Sequence, residues 1–191
     1  MASTMNISPF EPSVWQLLHS LDRASHLLRW ARSHPSTEGV PAQSALLAAR
    51  LAPDMLHLAH QVEVLVDGVV GSVALLAGVD HAAGGKVFNR GEDLLPLLPW
   101  RTLDEAMVRV ATAQDEVAAL VAQANWVPAD AVFTVRRPGS ARQFVAAAFA
   151  ERYAVPNVLF HLTMVYALLR SRGIPLGKAD FAGVDPYTLV D

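Results

Sequence analysis

An apolar stripe with the spacing of a helix-bundle seam runs through the second quarter of the chain. Its members recur at alternating intervals of four and three residues: Leu51, Met55, Leu58, Val62, Leu65 and Val69. Such intervals place apolar side chains on one face of a helix, which must then be buried against other helices. The stripe predicts a helix over about residues 53–77, with Pro53 in the first turn, where its missing N–H costs nothing.

Three further segments have helical periodicity, and the four together predict an all-α four-helix bundle. The first predicted helix covers about residues 13–34, with Ser13 as its N-cap. The third begins at Thr102, whose side chain forms a capping-box pattern with that of Glu105. The fourth covers about residues 156–173 and ends in arginines followed by glycine and proline, a typical C-terminal signal.

The segments between these helices differ in character. Residues 42–50 predict a short helical turn that leads into the second helix. Residues 78–100 contain glycines, prolines and scattered charges and predict a long surface loop. Two short alternating runs, at 132–136 and 142–145, flank a Pro-Gly turn. They predict a small β-hairpin inserted between the third and fourth helices.

The composition excludes several classes of protein. Apolar residues make up 52% of the 191 residues and charged residues only 17%, so the chain is not intrinsically disordered. A net charge of −3 provides no basic surface for nucleic acid or for a membrane. The absence of cysteine excludes disulfides, thiolate nucleophiles and cysteine-bound metals. The length predicts one domain over residues 1–191, with the bundle at about 13–173 and a tail at 174–191.

No segment has the features of a secretory signal or a membrane span. The first ten residues lack the basic region and the apolar region of a secretory signal. The longest uncharged stretch, residues 153–169, is shorter than a membrane span requires. We therefore expect a soluble, cytoplasmic protein.

Two blocks of the sequence have the character of family signatures. The first block is ARLAPDM at residues 49–55, followed by Gln61 and Val62. The second extends over residues 156–183 and reads PN..FH….YA.LR..G…GK.DF.G. Together they resemble the signatures of an uncharacterised family in the DinB/YfiT-like superfamily. This resemblance covers nearly the whole chain and implies a four-helix bundle that frequently forms homodimers.

The resemblance also implies a chemistry. Members of the superfamily usually hold a divalent metal with one histidine on the second helix and an H-x-x-x-H pair on the fourth. The cofactor implied for this chain is therefore a divalent metal, with zinc, nickel and iron as the candidates. Some relatives use this metal to activate a thiol cofactor for transfer or isomerisation. The present sequence departs from the pattern, because Val165, which cannot bind a metal, stands four residues after His161.

The candidate site lies between the second and fourth predicted helices. At about 100° per residue, His161 falls within the apolar face of the fourth helix and points into the bundle. Asp54 and Gln61 lie one heptad apart on the second helix, where either could reach His161. We expect His161 to act as a metal ligand or general base, with Gln61 and Asp54 positioning substrate or water. Two structural alternatives stay open: His161 as a hydrogen-bonded core histidine, and Asp54 as a helix cap.

Two further histidines precede Gln61. His57 lies on the same side of the helix as Gln61 and is a second candidate metal ligand beside His161. His60 falls on roughly the opposite side and is predicted to be exposed to solvent.

The first predicted helix has an aromatic face opposite its apolar stripe. Trp15, His19, His26 and Trp30 fall on this face. Exposed tryptophans are typical of protein–protein interfaces, so the face could form a homodimer. Alternatively, the 78–100 loop or the C-terminal tail covers it.

The sequence thus predicts a small-molecule-binding bundle, with a metal-dependent or histidine-based enzyme site between the second and fourth helices. One alternative is a non-catalytic dimeric bundle that acts through a surface on the first helix. Another is a thiol-cofactor-dependent transferase or isomerase, which rests on the superfamily alone.

Overall fold

Four long helices form the core of the computed structural model, which describes residues 8–79, 100–137 and 140–183. They are α1 (Glu11–Ser33), α3 (Leu58–Leu76), α4 (Leu103–Ala122) and α6 (Val155–Ser171). Two shorter helices lie outside this core, α2 (Val40–Leu47) before α3 and α7 (Lys178–Ala182) after α6. The predicted four-helix bundle is confirmed.

Contacts between named residues fix how the helices run. Arg32 near the end of α1 binds Asp104 at the start of α4, and Gln114 further along α4 binds Asp22, so α1 and α4 are antiparallel. The amide of Val127, just beyond α4, donates to the carbonyl of Leu76 at the end of α3. The helices α3 and α4 therefore end on the same side of the bundle and run parallel.

The helix α3 begins at Leu58, so the predicted start near residue 53 is wrong. Before it, the chain makes a turn in which the amide of Leu58 donates to the carbonyl of Ala49 at 2.9 Å. The Arg50 guanidinium donates to the carbonyl of Met55 in the same turn. These bonds satisfy backbone groups that a helix would otherwise use, and Pro53 lies in the turn rather than in a first helical turn.

The predicted helix starts elsewhere have mixed outcomes. The capping box at the start of α4 is confirmed, since the Glu105 amide donates to Thr102 Oγ1 at 3.3 Å and the Thr102 amide donates to Glu105 Oε2 at 2.8 Å. Ser13 is not an N-cap, because α1 begins two residues earlier, at Glu11. Phe10 occupies the cap position without a side-chain hydrogen bond, and it is 3% exposed, so packing rather than capping fixes this end.

The predicted hairpin is present and leads directly into the last helix. Strands β1 (Val132–Arg137) and β2 (Ser140–Val145) pair antiparallel, with Phe133 opposite Phe144. A short helix, α5 (Ala146–Phe149), then follows, and a π-helical turn, Ala150–Ala154, joins it to α6. The predicted start near Pro156 is therefore ten residues late. The π-turn stands just before this proline, whose ring and missing N–H interrupt regular helical bonding.

The predicted end of the last helix agrees with the structure. The helix α6 ends at Ser171, and Gly173 follows with a φ of 86°, a conformation that favours glycine. Part of the predicted tail folds back, since α7 packs on α1. The predicted 78–100 loop lies almost wholly outside the described residues.

The helix α3 is apolar and long enough to cross a membrane by length and composition. However, 83% of its most apolar window is buried inside the protein. This is the behaviour of a core helix in a soluble bundle.

Candidate functional site

His161 and Gln61 face each other across the contact between α3 and α6. His161 Nδ1 lies 2.7 Å from Gln61 Oε1, and the two residues are 9% and 2% exposed. The helices also approach closely two turns further along α3, where a Cβ added to Gly68 would lie only 3.3 Å from a methyl of Val158. The predicted contact between Gln61 and His161 is present, and the two helices are antiparallel.

A chain of hydrogen bonds fixes the protonation of the His161 ring. Gln61 Nε2 donates to the backbone carbonyl of Leu56 at 3.3 Å, which leaves Oε1 to face the histidine. A glutamine oxygen can only accept, so His161 Nδ1 carries the hydrogen. In the neutral ring, the Nε2 atom then holds the lone pair.

Burial keeps the His161 ring neutral. Loss of solvent around the charged form lowers the pKa of His161 to about 4. The Nε2 atom has no hydrogen-bond partner among the residues the structure describes, and it is not fully buried. Phe160 packs edge-to-face on the ring at 5.2 Å and is itself 53% exposed. His161 thus offers an acceptor nitrogen next to an exposed aromatic ring.

Asp54 does not lie on the same helix face as Gln61. It is exposed in the turn that precedes α3, because the helix starts four residues later than this carboxylate. The alternative prediction, that Asp54 caps the helix, is also wrong, because His57 is the N-cap. Any role of Asp54 toward a ligand stays a prediction.

His57 and His60 form a buried pair at the start of α3. His57 Nδ1 accepts a hydrogen bond from the His60 amide at 3.4 Å, and the two rings stack with centroids 4.1 Å apart. The prediction that His60 is exposed is wrong, since it is 2% exposed. The turn before α3, which is bonded to the helix through Ala49, lies close to this end of the helix.

The electrostatic environment disfavours a charge on either ring. Burial, and to a lesser degree the charge of Arg50, lowers the pKa of His57. Burial, followed by the influence of His57 and Arg50, lowers the pKa of His60 to about 4. Among the described residues, His57 Nε2 and His60 Nδ1 are buried without a hydrogen-bond partner. The helical wheel missed the burial of His60, because it treated this residue as part of a regular helix with one face open to solvent.

The described residues do not fit a three-histidine metal centre. Within residues 8–79, 100–137 and 140–183, no three histidine, cysteine, aspartate or glutamate side chains come together to hold a metal ion. Gln61, a neutral amide, faces His161 from α3, and Val165 is fully buried and apolar. His57 directs Nδ1 to the backbone instead.

The aromatic face of α1 is partly covered by α7. His19 Nε2 lies 2.9 Å from the carbonyl of Ala182, and His26 Nε2 lies 2.9 Å from Asp180 Oδ1. The two tryptophans stay open to solvent: Trp15 is 61% exposed and Trp30 is 44% exposed.

A cavity that the sequence did not indicate lies at the end of the bundle where α1 and α6 end. Its volume is about 250 Å³. Its walls come from the turn after α1, from α2 and from the segment after α6: Ser36, Thr37, Ala42, Ala45, Leu46, Arg172 and Ile174. The segment after α6 is distant in sequence from the other two, and only the folded bundle brings it beside them.

The fold and the residues between α3 and α6 define a DinB-like helical bundle. The chain belongs to the family described as a domain of unknown function (DUF1993), which it matches over residues 10–182. It is also similar to a solved DinB family member protein from Shewanella denitrificans, with a TM-score of 0.68 and 25% identity over 95% of each chain. No curated protein matches the chain.

Proposed function

We propose that the protein binds a small organic molecule where α3 meets α6, with His161 Nε2 accepting a hydrogen bond from the ligand. The observation that carries this proposal is the series of bonds from the Leu56 carbonyl through Gln61 to His161. Each bond fixes the orientation of the next group, so the lone pair on Nε2 has a fixed direction. A preoriented acceptor selects ligands that present an N–H or O–H group.

The low pKa of His161 favours ligand binding over a role as general base. A general base is most effective when its pKa is near the working pH. Burial lowers the pKa of His161 to about 4, so the neutral ring is a weak base at neutral pH. His161 therefore holds the donor group of a ligand, and Gln61 acts as a positioning residue for the ring.

Phenol and its methyl ether, anisole, test this proposal because they differ in the hydroxyl donor. We expect phenol to shift the NMR signals around His161 in the wild type, and anisole to bind at least ten times more weakly. Replacing His161 with leucine should reduce phenol binding by about tenfold, the loss of one good hydrogen bond. Gln61→Leu should weaken it as well, because the ring is then no longer oriented.

Thr163→Ala provides the matched control. Thr163 is exposed on α6 two residues after His161, and its hydroxyl bonds only within its own helix, to the carbonyl of Leu159. Phenol binding should be unchanged in this variant. Equal binding of phenol and anisole, or full phenol binding by a folded His161→Leu variant, would show that Nε2 does not recognise the ligand.

The second candidate function is a homodimer formed through the first helix. The exposure of Trp15 and Trp30 on one helix supports it, because tryptophan is enriched in interface cores. A Trp15→Glu, Trp30→Glu double variant should sediment as a folded monomer, whereas the wild type should sediment as a dimer. A wild-type monomer, or an unchanged dimer in the variant, would contradict this proposal.

The remaining predictions have unequal support. The largely buried α3 is consistent with a cytoplasmic location, which we retain as a proposal.

A thiol-cofactor transferase or isomerase would need a metal centre that the described residues do not fit. We therefore prefer ligand binding without a metal.

A further inference from the structure

The cavity at the far end of α6 has the lining of a second, separate ligand site. Four of its lining residues are apolar, Ala42, Ala45, Leu46 and Ile174, and Arg172 brings a permanent positive charge to the same space. We propose that this cavity binds a small carboxylate that carries a compact apolar group. The carboxylate would pair with Arg172, and the apolar group would lie against α2 and Ile174.

Arg172 is available for such a ligand. Its side chain makes no hydrogen bond or ion pair with any residue that the structure describes, and only its backbone amide is bonded, to the Leu169 carbonyl. The nearby Arg170, in contrast, donates to the carbonyl of Ile174 at 3.2 Å. Arg170 therefore holds the chain that follows α6, while the planar guanidinium of Arg172 is free to bind a carboxylate through two parallel hydrogen bonds.

The carbonyls at the end of α6 do not need Arg172 either. The Leu169 carbonyl accepts from the amide of Ile174 at 3.1 Å, and the Leu168 carbonyl accepts from the hydroxyl of Ser171 at 2.8 Å. The partial negative charge of a helix C-terminus arises from unpaired carbonyls, so these bonds reduce its repulsion of an anion. The positive charge of Arg172 thus remains available at the cavity.

The polar lining beside Arg172 is small and already oriented. The Thr37 hydroxyl donates to the carbonyls of Ala31 and His34 and is not free to donate to a ligand. Ser36 Oγ lies 2.7 Å from His34 Nδ1. Because His34 Nδ1 also accepts from the Ser36 amide, the Ser36 hydroxyl donates to it, and only the oxygen lone pairs face a ligand. Arg172 is thus the group in the lining suited to bind an anion.

Rigid walls and a limited volume define the size of the ligand. Ile174 and Leu46 are 0% and 7% exposed, so packing holds both. The volume of about 250 Å³ is below the roughly 300–1,000 Å³ of sites for drug-sized molecules. A single ring or a short branched chain with one carboxylate fits this description.

Benzoate and benzamide are suitable probes, because they share a ring and differ in charge. We expect benzoate to shift the NMR signals of Ala42 and Ile174, and benzamide to bind at least ten times more weakly. Arg172→Gln should weaken benzoate binding by at least tenfold. Arg29→Gln, which removes an equal charge from an exposed residue of α1 outside the cavity lining, should leave it nearly unchanged. Ala45→Leu should block benzoate binding by filling the cavity.

Benzoate binding at this cavity should not depend on the site at His161. Arg172, the C-cap of α6, stands eleven positions after His161, about 16 Å along the helix axis. The His161→Leu variant should therefore bind benzoate like the wild type. Equal binding of benzoate and benzamide, an equal loss in Arg29→Gln and Arg172→Gln, or no benzoate binding by the wild type would overturn the proposal.

Discussion

Replacing Phe149 with alanine is expected to lower the free energy of unfolding by about 3–5 kcal/mol, the usual cost of removing a buried aromatic ring. Phe149 is 0% exposed, and its ring lies 5.1 Å from Phe133 on β1 and 5.3 Å from Phe144 on β2. On the helical side it stacks on Tyr153 at 5.8 Å. The ring therefore joins the hairpin to the helix that follows it.

Phe160→Ala is the control for this prediction. It removes the same side chain from a position that is 53% exposed, so the loss should be below about 1 kcal/mol. Urea unfolding followed by far-UV circular dichroism gives both values. Equal losses in the two variants would show that the hairpin does not depend on the Phe149 contacts.

Acidification is expected to destabilise the fold strongly between pH 6.5 and pH 4. Burial lowers the pKa of His60 and of His161 to about 4, whereas each has an ordinary value of 6.5 in the unfolded chain. Between these values, the unfolded state binds more protons than the folded state, so the free energy of unfolding falls as the pH falls. The free energy of unfolding has its full value above pH 6.5. By pH 4, protonation of a single buried histidine lowers it by about 3 kcal/mol.

Urea unfolding at pH 7.5 and at pH 5 measures this effect. Carboxylates also respond to acid, notably Glu105 and Asp180, because hydrogen bonds lower the pKa of both. Their contribution is lost mainly below their ordinary pKa values of 4.5 and 3.8, so pH 5 largely isolates the histidines. The His60→Gln and His161→Gln variants should each lose less stability between the two pH values than the wild type does. An identical loss in all three proteins would contradict the prediction.

Local sequence patterns predicted the parts of the fold that depend on local interactions. The capping box of Thr102 and Glu105 forms between residues three positions apart. The hairpin forms from two short alternating segments joined by a turn. The position of His161 on the apolar face of its helix, together with Gln61 on the facing helix, was enough to predict their contact.

Long-range contacts explain the incorrect predictions. The start of α3 and the burial of His60 depend on the turn that joins Ala49 to Leu58, which overrides a continuous apolar stripe. That same turn moves Asp54 out of the helix. The cavity beside Arg172 depends on two distant parts of the chain that meet only after folding, so no motif within a single segment could indicate it.

The protonation of the His161 ring is tested most directly by nitrogen-15 NMR of the histidine side chains. At pH 7 the His161 ring should be neutral, with the hydrogen on Nδ1 and an unprotonated Nε2, and it should titrate near pH 4. In Gln61→Leu, the preference for a hydrogen on Nδ1 should be lost. A wild-type ring that carries its hydrogen on Nε2, or that titrates near 6.5, would contradict the proposed ligand-binding role of this nitrogen.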